Sequence, residues 1–251
     1  MLSKEKTWEK LLATGKVRGE MPSGVWDLGG LDLSGADFTD TDLRGVIFRG
    51  ANLTGTSFVK AYPIGADFRK ATLRNAILTE AKCMAALFDE ADLSEAVVSS
   101  AELSAASLTG ADLSKANLQS TFLTSSILEG ANLKGANLVK AQLSAADLRG
   151  ADMSEADLSG ADFNGAKLTG TRLKGANLAE ADFNYADLTG ADLNGANFKG
   201  SKLVNAKLEG TQNLTVQQLS QTATLLDAQL DPVLRERLQA EYPDLFVNPE
   251  G

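Results

Sequence analysis

A five-residue step runs through most of this chain without an insertion or deletion. From Leu28 to Leu208 every fifth residue belongs to one series of 37 central positions, of which 25 are Leu and 8 are Phe. The residue two places before the centre is Ala in 28 of the 37 cases. A frame this regular indicates one architecture built by stacking many copies of a short unit.

A period of five matches neither an α-helix nor a flat β-strand, whose periods are about 3.6 and 2 residues. One small and one large apolar residue in every five predict a chain that turns a corner at each repeat and stacks its coils around a continuous core. Glycine recurs two residues after many centres, for example at Gly130, Gly150 and Gly165, where a tight turn favours it.

The repeats "ANLKG" at 131–135 and "ADLTG" at 186–190 show a pattern that resembles the pentapeptide-repeat family. The resemblance implies an all-β fold, a right-handed, four-sided parallel β-helix with twenty residues per coil. About nine coils would then form a rod on the order of 44 Å long. Central Phe residues twenty apart favour the same coil length, at Phe38/Phe58, Phe48/Phe68, Phe68/Phe88 and Phe163/Phe183.

The two ends of such a rod need covers, and the sequence predicts a helical segment at each. We expect a single structural domain with an N-terminal helical cap over 1–25, a β-helix over 26–212 and a C-terminal helical cap over 213–251. Ser3 is the predicted N-cap of a first helix, with Trp8, Leu11 and Leu12 on its apolar side. Near the C-terminus, Thr215 and Gln218 have capping-box spacing. Asp231 is a predicted N-cap, Pro232 a first helical residue and Pro243 a stop.

The apolar residues of the C-terminal segment have two interpretations. They can cover the last coil, or they can form a homodimer, because some members of the resembled family pair through this end. The candidate residues for either role are Leu226, Leu230, Leu234, Leu238 and Phe246.

Composition excludes most catalytic chemistry. Histidine is absent, and the single cysteine, Cys83, occupies a central position where a buried apolar side chain is expected. We therefore predict no catalytic residue, no cofactor site and no metal site, and an enzyme is the weakest of the functional alternatives. The net charge of −9 argues against direct binding to nucleic acid or an anionic membrane. The lack of an apolar stretch near 20 residues predicts no membrane span.

An acid recurs every five residues in "DLRGADMSEADLSGADF", at Asp147, Asp152, Asp157 and Asp162. With twenty residues per coil these four carboxylates point to four different sides, so they cannot converge on a metal ion. Along one side the charges alternate, as in the column Asp147, Lys167, Asp187, Lys207. The resemblance also raises an alternative function, a DNA mimic that binds or protects DNA gyrase or another topoisomerase. The interleaved bases weaken it, because a phosphate backbone is a continuous row of negative charge.

The outward positions lose their polar character between residues 60 and 100. We predict a candidate interaction patch there, because contiguous exposed apolar side chains often mark a binding surface. The alternative is a local distortion at Pro63 that turns or covers some of these residues. The patch consists of Tyr62, Ile64, Ile77, Met84, Leu87 and Val97. Phe122 and Tyr185 are further outward aromatics that we interpret as scattered.

These features predict a non-catalytic protein–protein interaction rod or regulatory scaffold whose partner is an unknown protein. The long repeat with helices at both ends resembles cyanobacterial members of the family, and the expected location is the bacterial cytoplasm.

Overall fold

The computed structural model describes residues 26–247, and the predicted N-terminal cap over 1–25 lies outside them. Each pentapeptide places one residue in a parallel β-bridge, the residue just before the centre. The bridges start at Asp27↔Ile47 and join positions twenty residues apart as far as Asp192↔Gln212. The strands are single-residue bridges rather than longer ladders, since the chain turns after every third residue of the repeat.

The central residues and the small residues before them face a continuous core. Leu133 and Ala131 are both fully buried, and this arrangement repeats along the rod. A β-turn follows each centre, as in the bond from the Ala136 amide to the Leu133 carbonyl at 3.0 Å. The third residue of the turn has a positive φ, as at Gly135, which is the geometry that type II turns require. The glycine frequency at this position therefore has its expected cause.

The core phenylalanines form stacks between neighbouring coils. The four pairs predicted from their spacing all lie with ring centroids 4.7–5.4 Å apart and nearly parallel planes. Phe68 contacts the Phe48 ring at 5.0 Å and the Phe88 ring at 4.7 Å, so one stack spans three coils. This order is what a twenty-residue coil imposes on residues at equivalent positions.

Within residues 26–247 the helices lie at the C-terminal end. Helix α1 spans Val216–Leu219, α2 spans Pro232–Glu241, and a 3₁₀ helix spans Pro243–Phe246. The capping box predicted at Thr215 and Gln218 is present, with both reciprocal hydrogen bonds formed.

The bridging pattern continues past α1, within the segment predicted to be purely helical. Thr224 pairs with Lys202 and Gln229 with Lys207, a step of 22 residues instead of twenty. Leu225 and Leu230 behave as two further centres, both buried in the core. Helix α1 is therefore an insertion, and the chain returns to the rod before α2 begins.

Asp231 precedes α2, but its side chain makes no hydrogen bond to the helix. Its carboxylate accepts the backbone N–H of Gly210 at 3.2 Å instead. The expected N-cap thus ties the start of α2 to the last regular coil.

Candidate interaction surface

The recurring acids have a local structural role. Where an Asp precedes the centre, its carboxylate accepts the backbone N–H of the residue two places later, as at 3.1 Å from the Ser159 amide to Asp157. Asp152 and Asp162 make the same bond, at 3.0 and 2.9 Å. Asp and Asn have the side-chain length for this bond, which satisfies a turn amide. The five-residue recurrence of acids follows from the turn and does not mark a ligand site.

The charged columns pair as the sequence predicts. Lys167 lies 3.9 Å from Asp147, and Lys207 lies 4.0 Å from Asp187, each one coil away. Asp147 is also bound within its own coil by Arg149, at 2.8 Å between Nε and Oδ1. The hydrogen bond from this guanidinium holds the pKa of Asp147 below its ordinary value. In the part of the chain that the structure describes, no three His, Cys, Asp or Glu residues could hold a metal ion.

Pro63 removes one rung of the ladder and leaves the register intact. The described ladder has no Tyr62↔Lys82 bridge, because proline lacks the N–H that would bond to Lys82. The next turn still connects normally, from the Gly65 amide to the Met84 carbonyl at 3.0 Å. The residues around Pro63 therefore remain on the outside, and the alternative of a large local distortion is not what the structure shows.

The six predicted patch residues fall on three neighbouring sides of the rod. Ile77 and Val97 form a bridge with each other on one side, and both are half-buried. Leu87 follows Ile77 by two pentapeptides, so it lies on the second side after that of Ile77, and it is also half-buried.

The side between them carries Tyr62, Ile64 and Met84. Tyr62 is 44% exposed and Met84 37%, while Ile64 is half-buried. This side offers the most accessible apolar surface of the six residues, and we call it the Tyr62 face.

Two shallow depressions share Tyr62. The first, of about 350 Å³, is lined by Asp40, Asp42, Arg44, Tyr62 and Ile64. The second, of about 280 Å³, lies on the other side of Tyr62 and ends at Phe122. Its remaining lining residues are Lys60, Glu80, Lys82, Ser100 and Glu102. Tyr62 therefore separates two depressions along the rod, and Phe122 lines the far end of the second.

Sequence reasoning missed part of this surface. Phe122, interpreted as scattered, is 37% exposed and lines the same depression as Tyr62, whereas Tyr185 lies apart at 63% exposure. Ile127 is 44% exposed and stands in one column with Ile47 and Leu87, on alternate coils. An arrangement of the sequence in columns of twenty residues places Phe122 with Tyr62, and Ile127 with Ile47 and Leu87.

Four of the five C-terminal candidates contact the chain's own core. Leu238 and Leu230 are buried, and Leu234 and Phe246 pack against the core while partly exposed. Leu226 is half-buried in the turn after Leu225. These contacts are those of a cover over the last coil. Homodimer formation stays a prediction, and the exposed large hydrophobic residues at this end are others, Val233, Tyr242 and Val247.

Cys83 is fully buried at its central position, and burial raises the pKa of its thiol to about 12. A thiol in this state is a packing group and not a nucleophile. Among residues 26–247, no helix is long and apolar enough to cross a membrane.

The coil register, inward leucines and outward ladders define a β-solenoid repeat protein. The sequence pattern described as "Pentapeptide repeats" matches in eight copies, within 27–58, 47–82, 86–124, 126–165, 136–175, 156–195 and 171–210. The chain belongs to the pentapeptide repeat family, and its fold is the right-handed β-helix of that family.

Solved pentapeptide repeat structures resemble the chain. HetL, involved in heterocyst differentiation regulation in the cyanobacterium Nostoc sp. strain PCC 7120, is 29% identical, with 88% of this chain and 92% of HetL covered and a TM-score of 0.44. A protein of the Arabidopsis thaliana thylakoid lumen is 40% identical over 40% of this chain and 67% of its own, with a TM-score of 0.31. QnrB1, a plasmid-mediated fluoroquinolone resistance protein, is 19% identical over 79% and 90%, with a TM-score of 0.48. No curated protein matches the chain.

Proposed function

We propose that this chain is a non-catalytic interaction rod, and that the Tyr62 face binds another protein. The observation that carries the proposal is that apolar side chains occupy outward positions of this face, where the repeat normally places polar ones. Most outward positions of the repeat hold Asp, Asn or another polar residue, while here Tyr62 and Met84 are exposed beside Ile64. Exposed aromatic and methionine side chains are typical of the centre of protein interfaces.

The rigidity of the rod supports the same function. Backbone hydrogen bonds of ordinary length join Tyr62 to the preceding coil, 2.9 Å from the Tyr62 amide to the Thr41 carbonyl and 3.2 Å from the Leu43 amide to the Tyr62 carbonyl. A surface held by such a ladder presents its side chains at intervals of about 4.8 Å with little loss of conformational freedom on binding. We also propose the finer architecture of about nine four-sided coils and a location in the bacterial cytoplasm.

A photo-crosslinking amino acid at position 84 tests the proposal in cells of the source organism. We expect it to capture one protein reproducibly. The matched control carries the crosslinker at Asn164, an exposed residue in the same column four coils away. Equal capture from both positions, or capture from neither, would contradict the proposal.

The described charges do not favour the gyrase-directed DNA mimic. A mimic needs long acidic columns, and here the bases Lys167 and Arg172 neutralise Asp147 and Asp152 from the next coil. Catalysis has no support from the site either, and the family is generally one of structural and interaction proteins.

A further inference from the structure

The first depression of the Tyr62 face has the size of a site for one large side chain. Its volume of about 350 Å³ lies at the lower end of the range for small-molecule sites, which is about 300–1,000 Å³. Its walls differ in chemistry, because Tyr62 and Ile64 are apolar while Asp40, Asp42 and Arg44 are charged.

The charges of this depression do not cancel. Arg44 binds Asp42 through two parallel contacts, Nη2 to Oδ2 at 2.6 Å and Nε to Oδ1 at 2.9 Å. That pair is internally neutral. Asp40, on the corner beside it, has no side-chain hydrogen bond or ion pair within the described part of the chain. Lys60, one coil from Asp40 in the same column, pairs with Glu80 instead, so the Asp40 carboxylate faces the depression without an ion-pair partner among the described residues.

The second depression shows that this imbalance is local. Lys60 lies 3.7 Å from Glu80, and Lys82 is bound to Glu102. Each base there is paired with an acid one coil away, so the depression carries no net charge. A cationic group is attracted only to the Asp40 side of Tyr62.

The geometry points to a guanidinium group, an arginine side chain of the protein partner, as the occupant of the first depression. Arginine fits both walls because its planar fork pairs with a carboxylate while its flat face stacks on an aromatic ring. Asp40 supplies the carboxylate and Tyr62, 44% exposed, supplies the ring. This inference rests on the proposed function and adds the chemistry of the contact.

A titration of the full chain with N-acetyl-arginine methylamide, followed by amide chemical shifts in NMR, tests the site directly. We expect saturable shifts at Asp40, Tyr62 and Gly65, with a Kd on the order of 1–10 mM for so small a probe. The neutral analogue N-acetyl-citrulline methylamide is the matched ligand control and should give no saturable shift at these amides.

Two variants separate the contribution of the Asp40 charge from that of the Tyr62 ring. Asp40→Asn removes the charge, and asparagine tolerates the φ of 53° found there, so we expect about three- to fivefold weaker binding. Tyr62→Leu keeps an apolar wall and removes the ring, with about two- to fivefold weaker binding expected. Asp227→Asn is the control, since Asp227 has a φ of 55° at the far end of the rod. It should bind the probe like the wild type.

Equal binding of the arginine and citrulline probes, or no effect of Asp40→Asn, would overturn the arginine site. That failure is distinct from failure of the proposed function. If crosslinking at position 84 still captures one protein, the Tyr62 face binds a partner without an arginine contact. If the probe binds as expected and crosslinking captures nothing, the site stands and the proposed function fails.

Discussion

At the scale of single residues, the corner position of the repeat is the most demanding. It adopts a positive φ whatever side chain it carries, and the structure contains both glycines and other residues there. Ala145 has a φ of 56°, and Gly165, one coil later in the same column, has a φ of 65°. An L-residue in this conformation costs roughly 1–2 kcal/mol.

We expect Ala145→Gly to stabilise the rod by about 0.5–1 kcal/mol, since relief of the left-handed conformation exceeds the greater entropy that glycine has when unfolded. Gly165→Ala is the reciprocal variant. A Cβ at Gly165 would meet no atom within 4 Å, so its destabilisation would be purely conformational. Urea unfolding measures both, and effects of the same sign would contradict this explanation.

The Asp67–Arg69 pair gives a pH dependence whose sign follows from its geometry. Arg69 Nη2 lies 2.6 Å from Asp67 Oδ2, and this hydrogen bond lowers the pKa of Asp67 in the folded state. A lowered folded pKa contributes stability above the unfolded value of about 3.9, and that contribution is lost as the pH falls through the folded pKa.

We therefore expect Asp67→Asn to lose less stability than the wild type between neutral pH and about pH 3. Arg69→Gln should reduce the pH dependence in the same direction, because it removes the group that lowers the pKa. Urea unfolding midpoints at neutral pH and at about pH 3 check this prediction. If stability depends on pH in both variants as it does in the wild type, the Asp67–Arg69 pair is excluded as a cause.

At the scale of elements, the polar contact of α1 with the last regular coil is made by one side chain, beside the apolar contacts of Leu219 and Val216. The Gln218 amide nitrogen donates to the carbonyls of Leu193 and Ala196, at 2.8 and 3.0 Å. These carbonyls belong to the coil next to the α1 insertion, where the twenty-residue bridging stops. Gln218 thus completes both the helix cap and the ladder.

Gln218→Ala should destabilise the C-terminal end by about 1–3 kcal/mol, since it leaves the Ala196 carbonyl and the Thr215 amide without their partner, while the Leu193 carbonyl keeps its bond from the Ala196 amide. The neighbouring Gln217 is exposed, so Gln217→Ala is the matched control with little expected effect. Hydrogen exchange of the Leu225 and Gln229 amides reports the local loss. Equal protection in both variants would show that the helix is held by its apolar contacts alone.

The sequence predicts the regular part of the elements well and the irregular part poorly. The phenylalanine stacks and the charged ladders follow from residues twenty apart, because every coil repeats the same backbone. The bridges at Thr224 and Gln229 could not be anticipated, since the α1 insertion shifts the register by two residues. Phe122 is distant from Tyr62 along the chain but lies in the same column and lines the same depression, so only a comparison along columns relates the two residues.

At the scale of the whole molecule, one backbone pattern repeats along the rod while the outward side chains vary. Acids before the centres satisfy turn amides on every side, and bases on the next coil neutralise several of them. The Tyr62 face keeps the register through Pro63 and has ion pairs of the same kind, but it also exposes Tyr62 and Met84. A regular scaffold that presents such a face is suited to binding a partner at a fixed place.

The proposed binding role of the Tyr62 face is tested most directly by measuring how tightly purified variants bind the protein that crosslinks at position 84. We expect Met84→Glu to weaken binding by about tenfold or more, because a charge is placed in the apolar centre of the interface. Asn164→Glu, with the same charge in the same column, should bind like the wild type. Equal affinities of Met84→Glu, Asn164→Glu and the wild type would contradict the assignment of the Tyr62 face as the protein-binding surface.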